Sequence, residues 1–232
     1  MTIYTLGMKV SIVIPAKGNS ERLPSKNLLT LGNVSLVYAA CEKCLDVSNI
    51  DNVYIDTESQ DILDAVKPLI KRGLKVINRP AHMADNNTTG NDLIVFEQSM
   101  IEECDLLLHT YSTSPFITAE TIENCISLFT SQDEYDSFFT ALPVREYFWT
   151  DGKPLNFSLD SLPNSQDLDL LWVETHGLYG ITWDALSRLK RRLGDKALPI
   201  EIPEYEALDI NTQSDYDEAS KRIRQSTQAA IR

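Results

Sequence analysis

The sequence predicts an α/β protein built on a mostly parallel sheet sandwiched by helices. Strand-like and helix-like patterns alternate along most of the chain, which is the arrangement that layers helices on a sheet. The first strand-like run, "KVSIVIPA", is apolar throughout, as a strand covered on both faces must be.

Taken in order, that run is followed by a small and polar stretch, and then by "SLVYAACEKCL" with helical spacing. "NVYID" reads as a short strand. "SQDILDAVKPLIKRG" reads as a helix opened by Ser59 or Gln60 and closed by Gly73. "LKVIN" is a third strand, "GNDLIVFEQSMIEE" a helix and "DLLLHTY" a strand. "TAETIENCISLF" is a helix with Thr118 and Thr121 as candidate caps, and "DSFFTALPV" a further strand.

The rhythm breaks at Arg145. "REYFWTDGKPLNFSLDSLPNSQDLDLLW" has no clean period, contains Pro154 and Pro163, and is too long for an ordinary connector. Alternation returns with the strand "VETHGLYGIT", the helix "DALSRLKRRLG", the strand "LPIEIP" and a last helix, "SDYDEASKRIRQ". The reading is one domain over 1–232, with 145–172 as an arm inserted in it and 225–232 as a frayed tail. There is no internal repeat and no low-complexity segment.

The chain has 232 residues, 43% hydrophobic and 24% charged, with a formal net charge of -13. That length carries a large core, and the acidic balance argues against nucleic acid and anionic membranes as partners. No apolar run approaches the roughly 20 residues that span a bilayer. The first residues, "MTIYTLGMKV", lack the pattern of a signal peptide. Cys41 and Cys44 form a C-x-x-C, but it lies in a helical pattern and no second pair follows, so packed thiols are expected. These features place the protein in the reducing cytoplasm.

The turn after the first strand carries the strongest chemical signal. "VIPAKGNSERLPSKNL" concentrates Lys17, Arg22 and Lys26 in an acidic chain. Ligands of parallel sheets bind beyond the carboxyl ends of the strands. Gly18, Asn19 and Ser20 let backbone N–H groups approach closely, and the cations can serve phosphate oxygens. The spacing is neither Walker A nor G-x-G-x-x-G. A rival reading is a solvated loop stiffened by Pro24. The clustering favours a triphosphate site.

"IPAKGNSERLPSKNL" resembles the N-terminal signature of the CMP-sugar synthetases, the cytidylyltransferases for acylneuraminate and Kdo, which runs roughly I-P-A-R-x-x-S-x-x-x-P-x-K-N. Four further stretches resemble family segments in the same order: "NRPAHMADNNTTG", "TYSTSPFITAETI", "HGLYGIT" and "ALDINTQSDYDEA". The resemblance implies a nucleotide-diphospho-sugar transferase (Rossmann-like) fold. It also implies attack of a sugar hydroxyl on the α-phosphate of CTP, releasing pyrophosphate, with Mg²⁺ as cofactor and CMP-sugars for surface glycans as product. Such a transfer needs positioning and charge neutralisation more than a covalent nucleophile.

By the same resemblance, Lys17, Arg22, Lys26 and Asp209 do the catalytic work. Ala16, Gly18, Asn19, Ser20, Arg79 and Asp85 hold the nucleotide. Thr89, Tyr111, Thr113, Glu174 and His176 face the acceptor, and Asp209 with Asn211 meets the metal. The rival for "DINTQSD" is a loop that caps the last helix through Ser214.

The chain departs from the family at several of these positions. Lys17 stands for an Arg and loses the bidentate fork. Asn211 stands for a second carboxylate, Tyr111 for a Gln, Thr89 for a Ser and His176 for an Asn. The arm aligns with the family's dimerisation arm, which implies a homodimer. Where sialic acid enzymes carry a Lys and an Arg near the sugar carboxylate, the only cation from Glu146 to Trp172 is Lys153. The expected acceptor is therefore an acidic keto-sugar other than N-acetylneuraminate. Two alternatives stay open: a nucleotidyltransferase acting on a phosphorylated small molecule, and a non-catalytic nucleotide-binding homologue.

Overall fold

A computed structural model of the chain describes residues 7–230, with side chains to residue 225. Its centre is a seven-stranded sheet. Strand β1 (Val10–Pro15) is flanked on one side by β4 (Asn52–Thr57) and then β5 (Lys75–Asn78). On the other side lie β6 (Leu106–Thr110), β10 (Leu171–Thr182), β7 (Ser137–Val144) and β11 (Ala197–Glu201), in that spatial order. All pairs are parallel except those of β10, which runs antiparallel to both β6 and β7. Two short hairpins lie outside the sheet: β2 (Thr30–Leu31) with β3 (Val34–Ser35), and β8 (Trp149–Thr150) with β9 (Lys153–Pro154).

The period-two alternation of β1 divides the core. Ile12 and Ile14 face one side, against α1 (Leu36–Leu45), α2 (Gln60–Ile70) and α4 (Ala119–Thr130). Val13 faces the other, against α3 (Gly90–Met100) and α5 (Trp183–Leu189). α6 (Gln213–Ala230) packs Ala219 with Leu23, Leu36 and Ile210 at the end of the sheet where the β1 turn lies. The helices start where side chains cap their free N–H groups: Ser35, Ser59, Thr89, Thr118 and Thr182 each accept from a backbone N–H of the first turn. All four cysteines are buried and free. Burial pushes the Cys44 thiol up to about 12, so the C-x-x-C is core packing and holds no thiolate at neutral pH.

Four features differ from the sequence reading. α5 stops at Leu189, because Lys190 adopts a left-handed conformation (φ 54°) and its N–H bonds the Leu186 carbonyl. α6 is capped by Thr212 rather than Ser214: Thr212 Oγ1 accepts from Asp215 N while Asp215 Oδ2 accepts from Thr212 N. α6 also carries helical backbone through 225–230, and 231–232 lie outside the described residues. Finally, β10 already begins at Leu171, so the excursion leaves the sheet only after Val144 and returns to it there.

The excursion has structure of its own. The β8–β9 turn is Asp151-Gly152, both at positive φ, as a tight hairpin turn requires. Phe157 packs edge-on against Tyr147 and Trp149, and Arg145 donates to the Leu168 carbonyl. Trp149, Leu155, Leu159 and Leu162 remain more than half exposed.

Candidate active site

The chain runs outward from β1 to β4 and β5, then returns to the opposite side of β1 as β6. This reversal opens a crevice beyond the carboxyl ends of β1 and β6, where open parallel sheets bind ligands. A cavity of about 600 Å³ lies there, with Pro15 and Lys17 from the end of β1 and Tyr111 and Thr113 from the end of β6. Five cations (Lys17, Arg22, Lys26, Arg79, Arg192) and two carboxylates (Glu21, Asp209) line it, the reverse of the chain's overall balance.

The loop after β1 is held in shape by Asn27. Its Nδ2 donates to the Lys17 carbonyl at 2.8 Å, and its Oδ1 accepts from Ser112 Oγ at 2.7 Å. Gly18 is required by close packing, since a Cβ there would lie 2.7 Å from the Ser59 Cβ. Lys17 Nζ donates to Asn86 Oδ1 at 2.8 Å, and Asn86 in turn donates to Glu21. Arg22 and Lys26 converge on one atom, Asn211 Oδ1, at 2.7 and 3.1 Å. The amide holds the two cations together without neutralising them, so their charge stays available to phosphate oxygens. Burial pushes the Lys26 pKa down, with Asp209 acting against it and Arg22 reinforcing it.

Asp209 lies beside this pair. Its Oδ2 accepts from Asn211 Nδ2 at 2.6 Å, while its Oδ1 is buried without a hydrogen-bond partner. The Ile210 N–H bonds the Thr113 carbonyl at 2.8 Å and fixes the 209–211 loop against β6. Mg²⁺ is commonly held by one or two carboxylates, with water and phosphate completing the shell. An unpaired carboxylate oxygen on a residue that lines a cation-rich cavity fits that pattern. No cluster of three or more His, Cys, Asp or Glu able to hold a metal occurs among the described residues.

The opposite wall is built by β6, β10 and the loop after α5. β10 is irregular between Glu174 and Tyr179, and His176 sits in the irregularity at φ 57°. The kink turns the imidazole into the cavity. Tyr179 Oη donates to Glu174 Oε2 at 2.7 Å and lies 2.8 Å from His176 Nδ1. With its one proton given to Glu174, Tyr179 accepts from His176 Nδ1, and in the neutral tautomer that makes this bond Nε2 is left as a lone-pair acceptor. The Arg192 guanidinium carbon lies over the Tyr179 ring, 3.7 Å from its centroid, and the group donates to Tyr111 Oη at 3.1 Å.

A buried charge cluster lies beneath. Arg79 donates to Asp56 Oδ2 from Nε at 2.9 Å and from Nη2 at 2.5 Å. His109 Nε2 lies 3.0 Å from Glu97 Oε2, and its Nδ1 lies 3.3 Å from Tyr111 Oη. Burial pushes Asp56 up to about 7, against the lowering bond from Arg79 and with Glu97 adding to the rise. Asp56 Oδ1 has no donor in reach unless one of the two carboxyls carries a proton.

The structure therefore brings Lys17, Ser20, Arg22, Lys26, Arg79, Tyr111, Thr113, His176, Asp209 and Asn211 to one cavity. Glu174 stands behind it, through Tyr179. Other sequence-selected positions have different roles. Asp85 is exposed and caps a turn, accepting from Asn87 N and Thr88 N, and its neighbour Asn86 reaches the cavity instead. Thr89 is the cap of α3, in a capping box with Asp92. Ala16 is buried and its N–H bonds the Asp56 carbonyl; the Gly18 N–H is taken by Glu58 Oε1 at 2.7 Å; Asn19 is exposed outside the cavity lining. The Asn211 carbonyl, expected to face a metal, is occupied by Arg22 and Lys26. Sequence reasoning missed Glu21, Asn27, Asn86 and Arg192. Asn27 was signalled by the K-N of the loop motif, whereas Arg192 was hidden in what reads as the basic last turn of a helix.

An α/β sheet with a cation-lined crevice at its reversal point has the form of a site for a phosphate-bearing small molecule. Residues 11–162 match the cytidylyltransferase family, and the chain belongs to it. It is 25% identical over 222 residues to an N-acylneuraminate cytidylyltransferase of Oncorhynchus mykiss, covering 92% of this chain and 50% of that protein. It is 26% identical over 189 residues to an 8-amino-3,8-dideoxy-manno-octulosonate cytidylyltransferase of Shewanella frigidimarina, covering 75% of each. The chain thus spans about half the length of the first of these relatives. In fold it matches a CMP:2-keto-3-deoxy-manno-octonic acid synthetase solved with CTP, at TM-score 0.66 and 18% identity over 94% of this chain and 99% of that one.

Proposed function

We propose that this chain is a CTP- and Mg²⁺-dependent cytidylyltransferase. It moves CMP onto the hydroxyl of an acidic keto-sugar other than N-acetylneuraminate and releases pyrophosphate. The observation that carries this reading is the convergence of Lys17, Arg22 and Lys26 beside an unpaired Asp209 oxygen, at the reversal point of a cytidylyltransferase sheet.

The three cations bind the triphosphate and offset the charge that builds up on the departing pyrophosphate. Asp209 Oδ1 would hold Mg²⁺, which when bound adds positive charge at the phosphate oxygens. His176 Nε2, the free acceptor, takes the proton from the attacking hydroxyl, and Tyr179 with Glu174 fixes the imidazole tautomer and supports its charge. The alternative of a phosphorylated acceptor calls for several cations on the wall of β6 and β10. There Arg192 is the one cation among the described residues that line the cavity.

The functional unit is a homodimer in the cytoplasm, joined through the exposed apolar side chains of 145–172, such as Trp149 and Leu155. No helix among the described residues is long and apolar enough to cross a membrane. The test is pyrophosphate release from CTP with Mg²⁺ across a panel of keto-sugar acids. Release with one of them, and little with N-acetylneuraminate, is the expected result. Release with none would favour a non-catalytic homologue.

A further inference from the structure

We infer that Arg192 is the specificity-determining residue that receives the acceptor's carboxylate. The inference rests on the cytidylyltransferase reading above and concerns the acceptor half of the same cavity.

Arg192 is held before any ligand arrives. The left-handed Lys190 ends α5 and throws the chain toward the cavity. The Arg192 N–H is bound to Asn91 Oδ1 at 2.9 Å, which ties the loop to the start of α3. Its guanidinium lies over the Tyr179 ring and is hydrogen-bonded to Tyr111. Tyr111 is in turn set by His109, so a chain of contacts fixes the plane of the group. An arginine already fixed loses little further freedom when it meets a carboxylate.

Its donors are largely unspent. A guanidinium has five N–H groups, and one bond, to Tyr111, is made here. Glu174 Oε2 stands 3.8 Å from Nη2, close enough to hold the charge in place and too far for a hydrogen bond. The Tyr111 hydroxyl accepts from Arg192 and has His109 as partner for its own proton, so it positions Arg192 rather than reading the sugar itself.

The placement matches the chemistry of one acceptor class. In the ring form of a 2-keto sugar acid, the carboxylate and the anomeric hydroxyl sit on the same carbon. A base for that hydroxyl and a cation for that carboxylate must therefore be close neighbours. Here both touch one side chain: His176 Nδ1 bonds Tyr179 Oη, and Arg192 covers the Tyr179 ring. Lys17, Arg22 and Lys26 belong to the other wall, the loop after β1, and are matched to phosphates.

Titration calorimetry on the full chain separates the carboxylate from a CTP phosphate as the anion that Arg192 meets. The nucleotide probe is a CTP analogue with a non-cleavable α,β bridge. The acceptor probes are 3-deoxy-manno-octulosonate, its 8-amino-8-deoxy analogue and pseudaminic acid, each as the acid and as its methyl ester, added to analogue-bound protein. The expected result is that at least one acid binds and its ester binds more weakly. Arg192→Ala and Arg192→Gln should lose roughly 10- to 100-fold for that acid, keep the nucleotide affinity, and lose nothing further for the ester. Arg192→Lys should fall between. Thermal unfolding checks that each variant is folded, and the acid–ester comparison on the unaltered protein needs no variant. Unchanged acid affinity in the Arg192 variants overturns the inference. So does a matching loss of nucleotide affinity, which would make Arg192 a phosphate ligand. Failure of every acid to bind, with the analogue binding normally, overturns it while leaving the nucleotide site standing. Failure of the analogue itself to bind removes the proposed function and this inference with it.

Discussion

Replacing Arg79 by methionine probes the buried cluster on which the cavity rests. The Arg79 and Asp56 side chains are 3% and 0% exposed. Removing one partner of such a pair strands a charge in the interior, which costs ~3–5 kcal/mol. Asp56 has a way out, because burial already lifts its pKa from 3.8 to about 7 even with Arg79 bonded to it. The guanidinium acts downward, so its removal raises the value further. Between the unfolded and folded values the folded chain binds more protons than the unfolded one. The stability linked to Asp56 is therefore complete below the unfolded pKa and is lost as pH rises through the folded pKa. In the parent that loss ends near pH 7; in Arg79→Met it continues upward, at about 1.4 kcal/mol per unit of additional shift. The deficit of the variant should be smallest at pH 5 and should grow between pH 7 and 9. Glu97 on α3 belongs to the same buried cluster and, paired with His109 on β6, is held below the usual carboxylate range, so Asp56 is not its only charged group. Adding Asp56→Asn to the variant should therefore remove most, though not all, of the pH dependence. Urea unfolding followed by tryptophan fluorescence at pH 5, 7 and 9 reads the deficit directly. An equal deficit at pH 5 and 9, or none at pH 8, would refute the reasoning.

Three further outcomes are expected. Lys26→Ala should weaken CTP binding by ~1.5–3 kcal/mol in calorimetry, since one charged phosphate contact is lost while Lys17 and Arg22 remain; parental affinity in that variant would move the triphosphate elsewhere. His176→Gln should lower kcat by roughly 10²–10⁴-fold with the KM for CTP retained, as removal of a general base does, and an unchanged kcat would return His176 to a structural role. Light scattering at micromolar concentration should give a dimer that Trp149→Asp dissociates, whereas a monomeric parent would leave the exposed side chains of the arm without the partner assigned to them.

Much of the sheet was legible because its strands and helices carry their burial in their composition. β1 is apolar on both faces and is an inner strand between β6 and β4, and the α2 and α4 patterns mark the faces that pack on it. The direction of β10 was not legible, since an inner strand looks alike in residue type whichever way it runs. The cation loop was legible because three like charges in an acidic chain need a local reason. In the segment after β5 the reading chose Asp85, and its neighbour Asn86 reaches the cavity; adjacent polar residues on a turn give no sign of which one points inward. Arg192 was lost for a sharper reason. The break that carries it into the cavity occurs at Lys190, and nothing about a lysine announces a left-handed residue as a glycine or asparagine would. The Asp151-Gly152 turn did carry such a sign, and it sits in the stretch read as aperiodic.

Glu174, His176, Tyr179 and Arg192 all lie on one unbroken run of chain, β10 through the loop after α5, while Lys17, Arg22 and Lys26 follow β1, with Arg22 and Lys26 braced by Asn211 just ahead of α6. The two halves of the cavity are thus written in separate passages of the sequence. On the function proposed above, exchange within 171–192 should retune which sugar is accepted and leave the grip on the nucleotide intact. The layout is that of a handle with a replaceable bit, and that segment is where a graft from a relative with another acceptor should be cut in.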